Sequence, residues 1–151
     1  MGSHEVRFDS FEPIGKSKRR YCNDDTLPII RVVNQQYTPK KRSEVSSASF
    51  ILREQAVNHL KLTEGDHVML YKCVKGEKES YCISYVPEDI SINAFKLTKA
   101  PPHHLKFTCC DMYNKLEDGL YTLSDLFEQE VSINGQKNIL LWSELILYKH
   151  G

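Results

Sequence analysis

The stretch of sequence that decides the fold is residues 50–71, FILREQAVNHLKLTEGDHVMLY. Its first residues complete a strand predicted over residues 48–52, because aromatic and β-branched side chains favour strands. The spacing then becomes helical, which predicts a helix of about two turns over residues 53–61. The apolar residues on one face of that helix are Ala56, Val57 and Leu60. The stretch is therefore read as a strand, a helix, a turn and a second strand.

Gly65 and Asp66 form the predicted turn between this helix and the second strand. Glycine adopts a left-handed backbone conformation without a steric penalty, and an aspartate carboxylate accepts hydrogen bonds from the turn backbone. We expect both residues to be structural.

Alternating apolar residues between turn formers predict antiparallel strands on both sides of this stretch. The predicted strands are residues 29–33, 48–52, 67–73, 80–86, 93–98, 105–109, 130–133 and 137–142. Asn134 and Gly135 predict a type I′ turn in the last hairpin. In the hairpin of residues 67–86, Tyr71, Tyr81 and Tyr85 are expected to share one face as cross-strand neighbours.

Two further helical segments are predicted in the second half of the chain. Asp111 is placed to cap a helix that carries Leu116, and Gly119 ends it. Residues 122–128 are expected to form another helical turn. The fold class is therefore α+β, mainly β, with short antiparallel strands and hairpins, two or three short helices and a basic N-terminal arm.

Prolines and loop formers divide the chain into three predicted parts. Residues 1–27 show no sustained periodicity and are read as a basic, flexible arm. Residues 28–99 are a β-rich unit that contains the strand-helix-turn-strand motif. Pro101 and Pro102 mark the boundary, because two prolines do not fit inside a central strand. Residues 103–151 are a second small α+β unit packed on the first.

Composition favours a globular protein that is not embedded in a membrane. Hydrophobic residues make up 40% of the 151, enough for a packed core. No apolar run has the length of a membrane span, and the first residues lack a signal-peptide core, so we expect a cytoplasmic protein. An odd number of cysteines, five, without a CxxC pair, argues against a disulfide framework and predicts reduced thiols.

The motif in residues 50–71 resembles the AbrB-like swapped-hairpin DNA-binding domains. In that family a strand and a short helix are followed by a Leu-x-x-Gly-Asp-x-Val turn and a strand, and the matching residues are Leu62, Gly65, Asp66 and Val68. The resemblance covers about a sixth of the chain. The strand-to-helix junction lacks the family's usual proline. The resemblance implies a homodimer with interleaved strands, in which basic residues near the strand ends contact DNA.

Positive charge is concentrated in the first 42 residues, which hold nine Lys and Arg against five Asp and Glu. Flexible cations bind phosphates without fixed geometry, so these residues predict contact with DNA or another nucleic acid. A solvated loop has the same composition, and this reading stays open. The predicted nucleic-acid-binding residues are Lys16, Lys18, Arg19, Arg20, Lys40, Lys41, Arg42 and Arg53.

Evidence for enzyme chemistry is weak, and we expect no catalytic residue, cofactor or metal. The glycines never form a phosphate-binding pattern. His103 and His104 precede Cys109 and Cys110, but adjacent side chains on a strand diverge, whereas zinc needs about four converging ligands. A thiol nucleophile beside Asp111 is an alternative that the spacing does not enforce.

Two function classes remain. The first is a non-enzymatic nucleic-acid-binding or regulatory module, expected to be dimeric. The alternative is a protein interaction or assembly accessory protein of phage or mobile-element type, whose basic arm docks on a partner protein.

Overall fold

The computed structural model describes residues 26–38, 43–88 and 94–148, and this part of the chain is mainly β, with 61% strand and 10% helix. The strands form one antiparallel sheet of ten strands. They are β1 (Ile29–Tyr37), β2 (Val45–Leu52), β3 (His67–Lys75), β4 (Lys78–Val86), β5 (Phe95–Lys96), β6 (Thr98–Ala100), β7 (His104–Cys109), β8 (Gly119–Leu123), β9 (Phe127–Ile133) and β10 (Gln136–Leu147). The predicted mainly β character is confirmed.

The strand order joins segments that are distant in the sequence. The sheet runs β5-β3-β4-β10-β8-β1-β2-β7-β6, and β9 pairs with β10 outside this path. Strands β8 and β10, from the predicted unit 103–151, therefore lie between β4 and β1 of the predicted unit 28–99. Pro101 and Pro102 lie in the turn that joins β6 to its antiparallel neighbour β7.

The prediction of two or three short helices is wrong for the part of the chain that the structure describes. The motif helix exists as α1 (Glu54–His59), but the segment after Asp111 contains only a short 3₁₀ helix (Cys110–Met112). The loop after this 3₁₀ helix is held by Asn34 of β1. The Asn34 side chain donates to Leu116 O at 2.8 Å and accepts from Asn114 N at 2.8 Å. These long-range bonds replace helical ones.

The prediction of a helical turn at residues 122–128 is also wrong, because both ends of this segment form backbone hydrogen bonds within strands. Thr122 belongs to β8, where it pairs with Ile29 of β1 on one side and Ile146 of β10 on the other. The end of the same segment belongs to β9. A strand paired on both edges satisfies its N–H and C=O groups without forming a helix.

The main core lies between α1 and the inner face of the sheet. Phe50 on β2 is fully buried, and its ring stacks on Phe107 of β7 with centroids 4.7 Å apart. Phe95 of β5 also stacks on Phe107, with ring centroids 5.2 Å apart. Ala56 of α1 and Ile83 of β4 join the same cluster. This core therefore includes strands from both halves of the sheet.

The turn at Gly65 and Asp66 ties α1 to the edge of the sheet. Gly65 has a φ of 93°, a region that L side chains rarely adopt. The Asp66 carboxylate accepts from the backbone N–H of Thr63 at 2.8 Å. Backbone bonds also join this turn to Leu97, whose side chain is buried.

No helix in the described ranges is both long enough and apolar enough to cross a membrane.

Replacing Phe50 with alanine tests the stacked core. Removing a fully buried ring that contacts Phe107 should lower the free energy of unfolding by about 3–5 kcal/mol. Urea unfolding measures the change. Val74→Ala is the control, because this side chain is 62% exposed and its loss should change stability by about 0.5 kcal/mol or less. Equal losses in the two variants would contradict the core described above.

Candidate binding cleft

Most of the predicted nucleic-acid-binding residues lie outside the described part of the chain: Lys16, Lys18, Arg19, Arg20, Lys40, Lys41 and Arg42. Arg53 is described and precedes α1 at the end of β2. Residues 40–42 precede the other end of β2 in the sequence. His104 lies close enough to Arg53 that its pKa is lowered, first by burial and then by the Arg53 and His103 charges. The structure thus places Arg53 beside histidines.

The His103–Asp111 segment does not form a convergent site. His104 and Cys109 are the two ends of β7, separated by about 16 Å of extended strand. Cys109 is buried, whereas Cys110 is exposed. No three His, Cys, Asp or Glu side chains in the described ranges are grouped to hold a metal ion.

His59 and Ser143 are close in space, but their hydrogen bonds are structural. His59 Nε2 lies 2.9 Å from Ser124 O and 3.1 Å from Ser143 Oγ. A carbonyl oxygen only accepts, so Nε2 carries the proton and does not take one from Ser143. The Ser143 hydroxyl is fully buried and itself donates to Ser124 O at 2.8 Å. The group therefore anchors α1 to β10 and offers no nucleophile.

A cleft with a volume of about 790 Å³ lies between two hairpins, β3–β4 and β9–β10. Their facing side chains form a second, smaller core at its base, which includes Met69, Val86, Ile133 and Trp142. The cleft is lined by Tyr71, Lys72, Cys73, Val74, Lys75, Lys78, Ser80, Cys82, Phe127, Gln129, Glu130, Val131, Trp142 and Glu144.

Trp142, the single tryptophan of the chain, forms the floor of the cleft. Its side chain is 2% exposed and packs against Tyr71 in a T-shaped arrangement, with ring centroids 4.8 Å apart. The indole Nε1 is buried without a hydrogen-bond partner. An unsatisfied buried donor costs about 1–3 kcal/mol. The cleft floor therefore combines a large apolar surface with one unsatisfied donor.

One wall of the cleft ends in two lysines that face each other. Along β3 and β4 the directly opposed pairs are Tyr71 with Cys82, Cys73 with Ser80 and Lys75 with Lys78. These are every second pair along the hairpin, so all three lie on the same face, and both lysine side chains lie at the cleft. Like charges in directly opposed positions destabilise a sheet. The two exposed ammonium groups therefore create a local site that attracts an anion.

The two outer strands of this region have unpaired edges within the described residues. Only His67 and Val68 of β3 pair with β5, so its remaining residues pair with β4 alone. Strand β9 pairs only with β10. Unpaired edges present backbone N–H and C=O groups that another strand can bind. Both edge strands line the cleft, which therefore offers backbone as well as side-chain contacts.

Comparisons of the chain with protein-family models, curated proteins and solved structures find no match. The AbrB-like resemblance stays a prediction. In the structure the motif strands pair within this chain, β2 with β1 and β7 and β3 with β4 and β5.

Sequence reasoning missed the cleft because it depends on how two hairpins pack. The prediction that Tyr71, Tyr81 and Tyr85 share a face is wrong. Tyr71 is opposite Cys82 and faces the cleft, whereas Tyr81 is opposite Lys72 and packs on the main core. The available signal was the alternation of Tyr71, Cys73 and Lys75 along β3.

The fluorescence of Trp142 tests the cleft floor. We expect blue-shifted emission that acrylamide quenches weakly, because the indole is almost fully buried. Phe127→Ala should increase quenching, since Phe127 pairs directly with Trp142 and lines the same cleft. Ile139→Ala is the matched control, because Ile139 lies on the opposite face of the same hairpin. An equal increase in both variants would show that the two faces are assigned incorrectly.

Proposed function

We propose that the protein is a non-enzymatic interaction module that binds an extended, acidic segment of a partner protein in the cleft between the β3–β4 and β9–β10 hairpins. The observation that carries this proposal is the combination of an open, apolar cleft with strand edges on both sides that no described residue pairs. A protein interaction module was the alternative function predicted from the sequence. There the basic arm was expected to bind the partner, whereas here the cleft is proposed to do so.

The unpaired edges support an extended peptide as the occupant. A peptide that adds to a sheet edge gains backbone hydrogen bonds, while alternate side chains enter pockets and supply specificity. Here the backbone groups come from β3 or β9. Tyr71, Phe127 and Val131 provide the apolar wall for the inward-facing side chains.

Charge at the cleft supports an acidic residue in that peptide. Lys72 already pairs with Glu79 at 3.6 Å, but no ion pair is seen for Lys75 or Lys78 among the described residues. A carboxylate placed between Lys75 and Lys78 relieves their mutual repulsion. Glu144 lines the cleft opposite Cys82 of β4, and favours apolar or neutral side chains next to it.

Peptide display tests this function. Extended peptides selected on the folded protein should contain an acidic residue next to alternating apolar residues, and their binding should change Trp142 fluorescence. Lys75→Glu combined with Lys78→Glu should weaken binding by about tenfold, because reversing a charge at the rim of a binding site makes encounter unfavourable.

The matched control is Lys99→Glu combined with Lys115→Glu, which makes the same charge change at exposed positions outside the cleft. Peptides selected without acidic residues, or an equal loss of binding in both double variants, would contradict the proposal.

Nucleic-acid binding is the second candidate, and a row of residues across the outer face of the sheet favours it. Arg31 of β1, Ile51 of β2 and Lys106 of β7 are aligned in register. Both cations are exposed and lie about 10 Å apart, two strand spacings. No carboxylate lies in this row. The arm and residues 40–42 stay predicted nucleic-acid contacts, which would add cations to those of this row, and the predicted dimer would double the row.

Labelled duplex and single-stranded DNA at two salt concentrations test this candidate. Arg31→Ala with Lys106→Ala should weaken binding to all sequences and reduce the log–log salt slope by about two, because each lost phosphate contact removes about one. Lys115→Ala with Lys137→Ala is the control at other exposed positions. Absence of binding by the wild-type protein at low salt would exclude this function.

A further inference from the structure

Cys73 and Cys82 lie on one wall of the cleft with their sulfur atoms in contact. Cys73 is opposite Ser80 and Cys82 is opposite Tyr71, so the two cysteines are diagonal neighbours on one face of the β3–β4 hairpin. Their Sγ atoms are 2.6 Å apart. A disulfide bond is about 2.05 Å long, so joining the sulfurs needs about half an ångström of movement. Both thiols are free in this structure.

We propose that Cys73 and Cys82 form a redox-active dithiol site, which a low-molecular-weight disulfide such as oxidised glutathione converts reversibly to an intramolecular disulfide. Two observations beyond the sulfur contact support this assignment. Both cysteines line a cleft of about 790 Å³, which gives a small disulfide a route to them. The two other thiols in the described ranges, Cys109 and Cys110, are on a different element, at the end of β7 and the start of the 3₁₀ helix after it.

The different burial of the two thiols assigns their roles. Cys73 is partly exposed and is the thiol that a reagent in the cleft reaches first. Cys82 is 2% exposed. Its pKa is raised by burial, and further by the hydrogen bond and charge of Cys73 and by the Glu144 carboxylate. Once Cys73 is bonded to another sulfur, the Cys73 contributions are removed, and Cys82 is easier to deprotonate.

The reaction is two successive exchanges. The Cys73 thiolate attacks one sulfur of oxidised glutathione, the glutathione S–S bond breaks, and one glutathione leaves as a thiolate that takes up a proton. The Cys82 thiol then loses its proton to water, and its sulfur attacks Cys73 Sγ. The Cys73–Cys82 bond forms as the second glutathione leaves. Two electrons pass from the protein dithiol to the glutathione disulfide, and excess reduced glutathione reverses both steps.

The disulfide joins β3 to β4 across the wall that contains Tyr71, Lys75 and Lys78. It removes two thiol hydrogens from the cleft surface and restricts relative movement of the strands. An effect of this change on peptide binding rests on the function proposed above. Formation of the disulfide does not, because it depends only on the two cysteines and access to them.

The test is a non-reducing tryptic map of the folded chain of 151 residues. The chain is first incubated with oxidised glutathione, and its remaining thiols are then blocked. Cleavage after Lys72, Lys75, Lys78 and Lys96 releases residues 73–75 and 79–96 as separate peptides. We expect these two peptides to appear linked, with the loss of two hydrogen atoms, and to separate after reduction. The exposed Cys110 is the internal control, and should stop at a mixed disulfide with glutathione.

The variant Cys82→Ser separates the two exchanges. Without the second thiol, Cys73 should retain glutathione as a stable mixed disulfide, whereas the wild-type protein should release it. The linked peptide in wild-type protein is informative even if this variant fails to fold. A fully oxidised wild-type sample in which residues 73–75 and 79–96 remain separate, or in which either is linked to Cys22, would overturn the proposal. If the disulfide forms but the protein binds no acidic partner peptide in the cleft, the result counts only against the proposed function.

Discussion

The architecture depends on the junction at Ser124, where the neighbour of β10 changes from β8 to β9. Along β10, residues before Ser143 pair with β9, and residues from Leu145 onward pair with β8. Ser124 fills the gap: its N–H donates to Glu144 O at 2.9 Å, and its Oγ accepts from Glu144 N at 2.8 Å. His59 and Ser143 both donate to its carbonyl. These bonds satisfy backbone groups of a partly buried interruption in the strand pairing, which would otherwise be unpaired.

Because of this junction, the two ends of β10 belong to different parts of the structure. The last residues of β10 belong to the main sheet, where Leu145 is buried in the core with Phe50. The first residues form a hairpin with β9 that packs on the outer face of β3–β4, around Trp142. The β3–β4 hairpin is consequently packed on both faces, by the main core and by the second core. The cleft shares Tyr71, Val131 and Trp142 with the second core, so both its walls are held by paired strands.

The sequence predicts those parts of the structure that are determined by residues close together in the chain. The motif at residues 50–71, the Gly65 turn and the Asn134-Gly135 hairpin follow from short-range pattern, and the structure has strands and turns there. The helix expected after Asp111 was overridden by Asn34, more than 70 positions away in sequence. The cleft requires the register of β3 against β4, since a shift of one residue would move Tyr71 and Cys73 to the other face. Neither long-range bonds nor register can be read from a single local pattern.

The most direct test of the binding cleft is a ¹H–¹⁵N NMR titration of the folded protein with an acidic extended peptide obtained by selection. We expect shifts in amides of β3 and β9 and in the indole N–H of Trp142, whose single signal reports from the cleft floor. Shifts confined to the row of Arg31, Ile51 and Lys106, with the indole signal unchanged, would show that partners bind the outer face of the sheet and would contradict the account.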